Sequence, residues 1–197
     1  MGKITAVSPL APDHFPDLPV IDGVRFATIA AGGRYQGRTD VMLAELAPGS
    51  TVAGAFTRSA TRAAPVLDCQ AKIGATSDTG AAILVNSGNA NAFTGKGGVT
   101  AVEAITAAGA DVCNIPQSLV FTSSTGVIGE PLPHDRITAV LADLKGALSD
   151  KGISDAAKAI MTTDTFPKGA RAEVEIDGKT VSIAGIAKGS GMIAPDM

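Results

Sequence analysis

The sequence lacks the residues on which nucleic-acid binding depends. It contains no Trp and one Tyr, and its 16 Lys and Arg are outnumbered by 19 Asp and Glu, for a formal net charge of −3. Nucleic-acid binding relies on clustered positive charge, which releases counterions from phosphates, and on aromatic side chains that stack on bases. No such cluster occurs here. The composition therefore excludes this function class.

Cysteine, histidine and long apolar runs are also scarce. Cys69 and Cys113 lie far apart without a CxxC motif, and the only histidines are His14 and His134. The sequence therefore predicts neither a zinc site nor a disulfide framework, and we expect both thiols to be reduced, small and apolar. Runs such as residues 81–85 are too short to span a bilayer, and the first residues carry no signal-peptide pattern. We expect a cytoplasmic protein without a membrane partner.

Strand patterns dominate the first part of the chain. Short β-branched or alternating segments separated by Gly and Pro predict strands over residues 24–28, 41–45, 51–57 and 81–85. The last strand runs into a polar, Gly-rich segment, 86–95, which we expect to be a loop. Apolar residues at helical spacing from Val99 onwards predict a helix that ends at Gly109 or Asn114.

The second half alternates helices with strands. Residues 118–123 predict a strand that leads into a turn over 124–129. Asp135 can cap a helix whose apolar residues follow a helical repeat, namely Ile137, Val140, Leu141, Leu144 and Leu148.

A further helix and a hairpin follow. The helix begins at Ser154 or Asp155 and continues through Ile160 and Met161. Asp177-Gly178, between alternating segments 171–176 and 179–186, predicts the turn of a hairpin. Because strands and helices are interleaved, the sequence predicts an α/β or α+β layered architecture, with a core supplied by its 45% apolar residues.

Several short motifs resemble known binding or catalytic patterns but lack the neighbouring residues that those patterns require. Residues 189–194 match the dinucleotide-binding pattern GxGxxA, but that fingerprint requires a following helix and an acid about 20 residues downstream, and the sequence ends three residues later. Gly95-Lys96 resembles the end of a phosphate loop, yet Gly97 stands where Ser or Thr should bind magnesium. There is no GxSxG elbow, and neither histidine lies in a setting that suggests a proton relay.

Three polar segments remain as candidate sites. The segment 86–95 is typical of a turn cluster and could also form the rim of a binding site. Residues 123–126 fit turn chemistry, or an oxyanion hole in which a hydroxyl and a Gly N–H converge on one developing negative charge. Residues 161–165 carry several hydroxyls that fit a helix end or a ligand site. None of these segments decides the function alone.

Four motifs together resemble the ornithine acetyltransferase family, the glutamate N-acetyltransferases of arginine biosynthesis. They occur in the family's order: VNSGNANAFTG at 85–95, SSTGVIGE at 123–130, AIMTTDTFPK at 159–168 and AKGSGMIAPDM at 187–197. The resemblance implies an α/β fold of the Ntn-like αββα type, in which residues 1–197 form one main domain that a β chain completes. It also implies a precursor that cleaves itself after this last motif, which would make the chain the α half.

The resemblance implies a ping-pong reaction without metal or nucleotide cofactor. Acetyl would pass from N-acetylornithine to the Thr that begins the β chain, and then to glutamate, with acetyl-CoA as a further donor in bifunctional members. An α2β2 assembly is implied as well. By motif match, Thr125 and Gly126 fall on the oxyanion hole, Thr162 and Lys188 on substrate-binding positions, and Met197 beside the cleavage site. Without the resemblance, Lys188 reads as a solvated lysine, and the alternative function is a non-enzymatic small-ligand-binding domain.

Overall fold

A four-stranded sheet forms the centre of the molecule. The computed structural model describes residues 6–74, 78–191 and 195–197; residues 1–5 and residues 192–194 of the last motif lie outside this range. The strands lie side by side in chain order: β1 Val24–Ile29, β2 Val41–Leu46, β3 Ala81–Asn89 and β4 Val120–Val127. β2 pairs antiparallel with both β1 and β3, whereas β3 and β4 are parallel.

Helices and a separate hairpin surround this sheet. Their bounds are α1 Ala64–Lys72, α2 Gly95–Cys113, α3 His134–Thr138, α4 Leu141–Gly146, α5 Ile153–Ala159, β5 Lys168–Ile176 and β6 Lys179–Ala187. β5 and β6 pair antiparallel, and Asp177 and Gly178 both adopt positive φ between them. The predicted hairpin is therefore confirmed. Among the described residues, no helix has both the length and the apolar character needed to cross a membrane.

The core lies on both faces of the sheet because side chains alternate along each strand. Val41, Leu43 and Leu84 point to one face, where they pack with residues of α2, α3 and α4. Met42 and Ala44 point to the other face and pack against α5. On this second face α1 also covers β4, through Cys69 and Phe121. Helices on both faces of a mixed sheet confirm the predicted α/β layered architecture.

The parallel pair β3–β4 determines where a site can form. α2 connects the two strands, so their carboxyl ends meet at the same edge of the sheet. β3 continues to Asn89, so the first part of the expected loop 86–95 is strand. β4 continues to Val127, so Thr125 and Gly126 lie in the last residues of a strand rather than in a turn.

Two predicted elements are wrong. Residues 51–57 form no strand; Val52 and Phe56 instead pack against the cluster around Cys69 and Phe121, which buries the apolar residues without backbone pairing. The helix predicted over 137–148 is divided into α3 and α4 by a turn at Ala139 and Val140. Its apolar side chains still pack in the core. The apolar repeat therefore predicted which side chains are buried, but it did not predict that the backbone is divided into two helices.

Other helix ends differ by small amounts. α5 begins at Ile153 and ends at Ala159, close to the predicted bounds, and no side chain caps its start. α3 likewise begins at His134 without a side-chain cap, so Asp135 lies in its first turn and not at the capping position. α2 ends at Cys113, and Asn114 closes it with φ +55, which confirms the second of the two predicted ends.

Candidate active site

The carboxyl ends of β3 and β4 bring two glycines and two hydroxyls together. Ser87 pairs with Thr125, and Gly88 pairs with Gly126. Gly126 has φ +137, and a Cβ at this position would lie 2.2 Å from the carbonyl carbon of Gly88. Only glycine fits such an approach. The two strand ends therefore lie against each other with no side chain between them at this point.

Lys188 connects two of the sequence motifs. Its Nζ lies 2.7 Å from the Oγ1 of Thr125 and 3.0 Å from the Oγ1 of Thr162. An ammonium group only donates hydrogen bonds, so both threonine oxygens accept from it and their own O–H groups remain available as donors. The structure thus brings Thr125, Thr162 and Lys188 together, with Gly126 adjacent to Thr125.

Asp164 fixes the geometry of this cluster, and the sequence motifs did not identify its role. Its side chain is fully buried. One carboxylate oxygen accepts from the N–H of Thr162 at 3.0 Å; the other accepts from the Nζ of Lys168 at 2.7 Å and from the N–H of Gly189. Because Gly189 follows Lys188, one carboxylate ties the Thr162 segment to the Lys188 segment.

These contacts also change the acidity of Asp164. Burial acts to raise the pKa of the carboxyl, but the hydrogen bonds from Lys168, Thr162 and Gly189, together with the Lys168 charge, outweigh it and lower the pKa below its ordinary value. The carboxylate is therefore ionised when the site is formed.

Asp164 is expected to make the fold sensitive to acid. Because its pKa is lower in the folded than in the unfolded protein, its contribution is fully present above the unfolded value of about 3.9. The contribution is lost as the pH falls through the folded pKa. Asp164→Asn should therefore lower the free energy of unfolding by about 3 kcal/mol at pH 7, and this difference should shrink below pH ~4.

Denaturant unfolding between pH 7 and pH 3 checks this expectation. Asp155→Asn is the matched control, because Asp155 forms an exposed ion pair with Lys158 and should change stability little. A difference between Asp164→Asn and the wild type that stays constant with pH would show that the Asp164 charge does not stabilise the fold.

The three asparagines of segment 86–95, two at the end of β3 and one in the loop after it, have structural roles. Asn86, Asn89 and Asn91 are buried. Ser124 donates from its Oγ to the Oδ1 of Asn86 at 2.6 Å, Asn89 donates to the carbonyl of Glu130 at 3.0 Å, and Asn91 donates to the carbonyl of Gly98 at 3.0 Å. These amides hold β3, β4 and α2 in place, so they serve the fold, although residues 86–89 are strand and not the predicted turn.

Among the described residues, no hydrogen bond joins a cysteine or a histidine to Thr125, Thr162 or Lys188. Cys69 and Cys113 are buried, as expected, and burial raises the pKa of both thiols. His14 is exposed. Within the described ranges, no group of three or more His, Cys, Asp or Glu side chains could hold a metal ion.

Met197 lies beside a different loop. Its neighbour Asp196 accepts a hydrogen bond from the N–H of Arg58 at 2.7 Å and forms an exposed ion pair with the Arg58 side chain at 2.8 Å. Thr57 donates from its hydroxyl to the carbonyl of Pro195. Among the described residues, no hydrogen bond joins 195–197 to the cluster around Lys188. The role of Met197 next to a cleavage site stays a prediction.

Comparison with known families is decisive for the identity of the chain. Residues 25–197 match the sequence model of the ArgJ family. The chain belongs to the ArgJ family. Similar curated proteins include the "Arginine biosynthesis bifunctional protein ArgJ" of Ruegeria pomeroyi, 72% identical over 197 residues, and that of Gluconobacter oxydans, 54% identical over 197 residues. Both matches cover 100% of this chain but only 48% and 46% of the relatives, so the chain spans about half their length.

Solved ArgJ structures share the fold. The arginine biosynthesis bifunctional protein argJ of Bacillus halodurans matches with a TM-score of 0.78 and 36% identity, over 89% of this chain and 91% of that one. The ornithine acetyltransferase of Mycobacterium tuberculosis, solved in complex with ornithine, matches with a TM-score of 0.79 and 34% identity, over 89% and 92%. The fold expected from the resemblance to this family is therefore confirmed. The matched chains in these crystals are also about as long as this chain, unlike the curated relatives.

Proposed function

We propose that this chain is the α subunit of an acetyltransferase that moves an acetyl group from N-acetylornithine to glutamate. The observation that carries the proposal is the double contact of the Lys188 ammonium with the hydroxyls of Thr125 and Thr162. This contact brings together three residues from three separate motifs. They lie next to Gly126, where no side chain blocks access to the backbone N–H. Such an arrangement suits a reaction in which an oxygen atom becomes negatively charged.

Thr125 and Gly126 form the proposed oxyanion hole. In the tetrahedral intermediate of acyl transfer the carbonyl oxygen carries a negative charge, and donors positioned in advance stabilise it without further reorganisation. The Thr125 oxygen already accepts from Lys188, so its proton can point towards the intermediate. Lys188 adds a positive charge on the same side of the site.

A second chain supplies the nucleophile in this proposal. The curated relatives are about twice as long as this chain. The matching chains in the crystal structures, by contrast, are about as long as this chain. This difference supports the proposal that members of the family consist of two chains, of which this chain corresponds to the first. The nucleophile would be the Thr at the start of the second chain. Its α-amine, with an ordinary pKa of about 7.7–8.0, can accept the proton of its own hydroxyl near neutral pH.

The reaction then proceeds in two half-reactions. The Thr oxygen attacks the acetyl carbon of N-acetylornithine, the amide C–N bond breaks, and ornithine leaves with the proton that the α-amine had accepted. The acetyl group remains on Thr as an ester. The amine of glutamate attacks this ester, the C–O bond breaks, and N-acetylglutamate forms while the proton returns to Thr. Both tetrahedral intermediates use the same oxyanion hole.

An assay of the complete enzyme, meaning this chain with the second half that its relatives carry, tests the proposal. We expect two chains by intact-mass analysis, one of them with the 19.6 kDa mass of this chain, and acetyl transfer from N-acetylornithine to glutamate. A folded protein that binds an amino acid tightly but transfers no acetyl group would favour the small-ligand-binding alternative. Assaying glutamate with acetyl-CoA as donor decides whether the protein is also bifunctional, as the relatives' names state of them.

Three further features belong to this proposal. We predict that residues 1–197 form one domain that the second chain completes. The α2β2 assembly and the cytoplasmic location also remain predictions. Size-exclusion chromatography with light scattering measures the assembly directly.

A further inference from the structure

Arg38 lies beside the proposed active site in the segment that connects β1 and β2. This segment is fixed by Asp40, which is buried and accepts from the N–H of Ala31 at 2.7 Å and of Gly33 at 2.9 Å. The backbone carbonyl of Asp40 also accepts from the N–H of Ser87 at 2.8 Å. The loop that carries Arg38 is therefore attached to the carboxyl end of β3.

The Arg38 side chain is itself held in one place. One terminal nitrogen, Nη2, donates to the carbonyl of Met161 at 2.5 Å and lies 3.4 Å from the Oγ of Ser87. The guanidinium stacks 4.2 Å from the centre of the Tyr35 ring. Contacts on two sides remove most of the conformational freedom that an arginine side chain would lose on binding a ligand.

These contacts place Arg38 next to both threonines of the site. Ser87 is the strand partner of Thr125, and neighbouring strands lie about 4.8 Å apart. Met161 directly precedes Thr162. The guanidinium thus contacts Ser87 and Met161, each of which is adjacent to one of the two threonines that accept a hydrogen bond from Lys188.

The charge of Arg38 has no carboxylate partner in the described part of the chain. Its acceptors there are the carbonyls of Thr39 and Met161 and the hydroxyl of Ser87, and the other terminal nitrogen, Nη1, donates to none of the described residues. A planar guanidinium matches the two oxygens of a carboxylate better than any other side chain does. A partly buried, oriented guanidinium that has no carboxylate partner among the described residues, and that lies beside the proposed substrate site, points to an anionic ligand.

We propose that Arg38 binds the α-carboxylate of the amino-acid substrates, which makes it a specificity residue of the proposed reaction. The inference rests on the proposed function, because that function defines the two substrates. Ornithine has a cationic side chain and glutamate an anionic one, so the α-carboxylate is the anion that both share. Arg38 thereby selects α-amino acids, while Lys188 serves the reacting acetyl group through Thr125.

Equilibrium binding to the complete enzyme tests this proposal without relying on turnover. Ornithine and ornithinamide differ only in that the amide has lost the carboxylate charge. Wild-type enzyme should bind ornithine about 10–100-fold more tightly by calorimetry, as expected for a charge-assisted hydrogen bond. Arg38→Gln should bind both compounds with the weaker affinity. Arg38→Lys keeps the positive charge but loses the paired N–H donors of the guanidinium. This variant should retain a reduced preference for ornithine over ornithinamide.

Arg34→Gln is the matched control, because Arg34 lies in the same loop but is exposed and paired with Glu130 at 2.8 Å. It should keep the full preference for ornithine. An undiminished preference in folded Arg38→Gln, or in Arg38→Lys if the first variant does not fold, overturns the proposal. So does a wild-type enzyme that binds the two compounds equally.

Steady-state kinetics separates this inference from the proposed function. KM for both N-acetylornithine and glutamate should rise in Arg38→Gln by about 10–100-fold, with a much smaller change in kcat. A rise for glutamate alone would assign Arg38 to the side-chain carboxylate and overturn the inference. Absence of acetyl transfer by the wild type, with the ornithine preference intact, would contradict the proposed function but leave the carboxylate site in place.

Discussion

Thr125→Ala should lower the kcat of the complete enzyme by about 10²–10³-fold, the usual effect of losing one oxyanion-hole donor. The substitution removes the hydroxyl that accepts from Lys188 at 2.7 Å and can donate to the intermediate. In the proposed mechanism both half-reactions form a tetrahedral intermediate, so we expect both to slow. Rapid-quench measurement of ornithine release and of N-acetylglutamate formation separates the two.

Thr125→Ser is the matched control because it keeps the hydroxyl and loses only a methyl group. It should retain most of the activity. Thr125 lies near the end of β4 and is only half-buried, so neither variant should shift the melting temperature by more than a few degrees. Wild-type rates in Thr125→Ala would remove this residue from the mechanism.

Lys188→Ala should lower kcat/KM by about 10²-fold or more, because two charge-assisted hydrogen bonds disappear together. Without the ammonium, the Thr125 and Thr162 hydroxyls lose their common donor and are free to rotate. In the proposed reaction the Lys188 charge also acts on the nucleophilic Thr of the second chain, so without it a larger fraction of the Thr α-amine should be protonated at neutral pH. The rate should therefore recover partly as the pH is raised.

Two control variants accompany this measurement. Lys179→Ala removes an exposed lysine at the start of β6 and should leave the kinetics unchanged. Lys188→Arg keeps the charge but is a larger, planar group, and we expect it to restore little activity. Intact-mass analysis of freshly expressed protein shows whether precursor cleavage slows as well. If kinetics and cleavage are unchanged in Lys188→Ala, Lys188 has no role in the reaction and is a solvated lysine.

The site could be found only in part from local sequence patterns. Thr125 and Lys188 are 63 positions apart, and nothing in the turn chemistry of either segment indicates that they meet. Their connection was expected only because four motifs resemble one family. Arg38 was missed altogether, since it lies in a loop without a periodic pattern and its meaning depends on contacts with Ser87 and Met161.

The fold was predictable where pattern and backbone agree. The hairpin at Asp177 and Gly178 follows from turn residues that tolerate positive φ. The division between α3 and α4 did not follow, because burial of Ile137, Leu141 and Leu144 is compatible with one bent helix or with two short ones. The short helix α1 was not predicted, although Pro65 in its first turn is a helix-start signal.

Trapping of the acetyl-enzyme tests the central claim most directly. The complete enzyme is incubated with N-acetylornithine in the absence of glutamate, and both chains are analysed by intact mass and peptide mapping. The account predicts one acetyl group on the second chain, at its N-terminal Thr, which disappears when glutamate is added, while this chain remains unmodified. An acetyl group on a residue of this chain that is transferred to glutamate, or transfer without any acetylated intermediate, would contradict it.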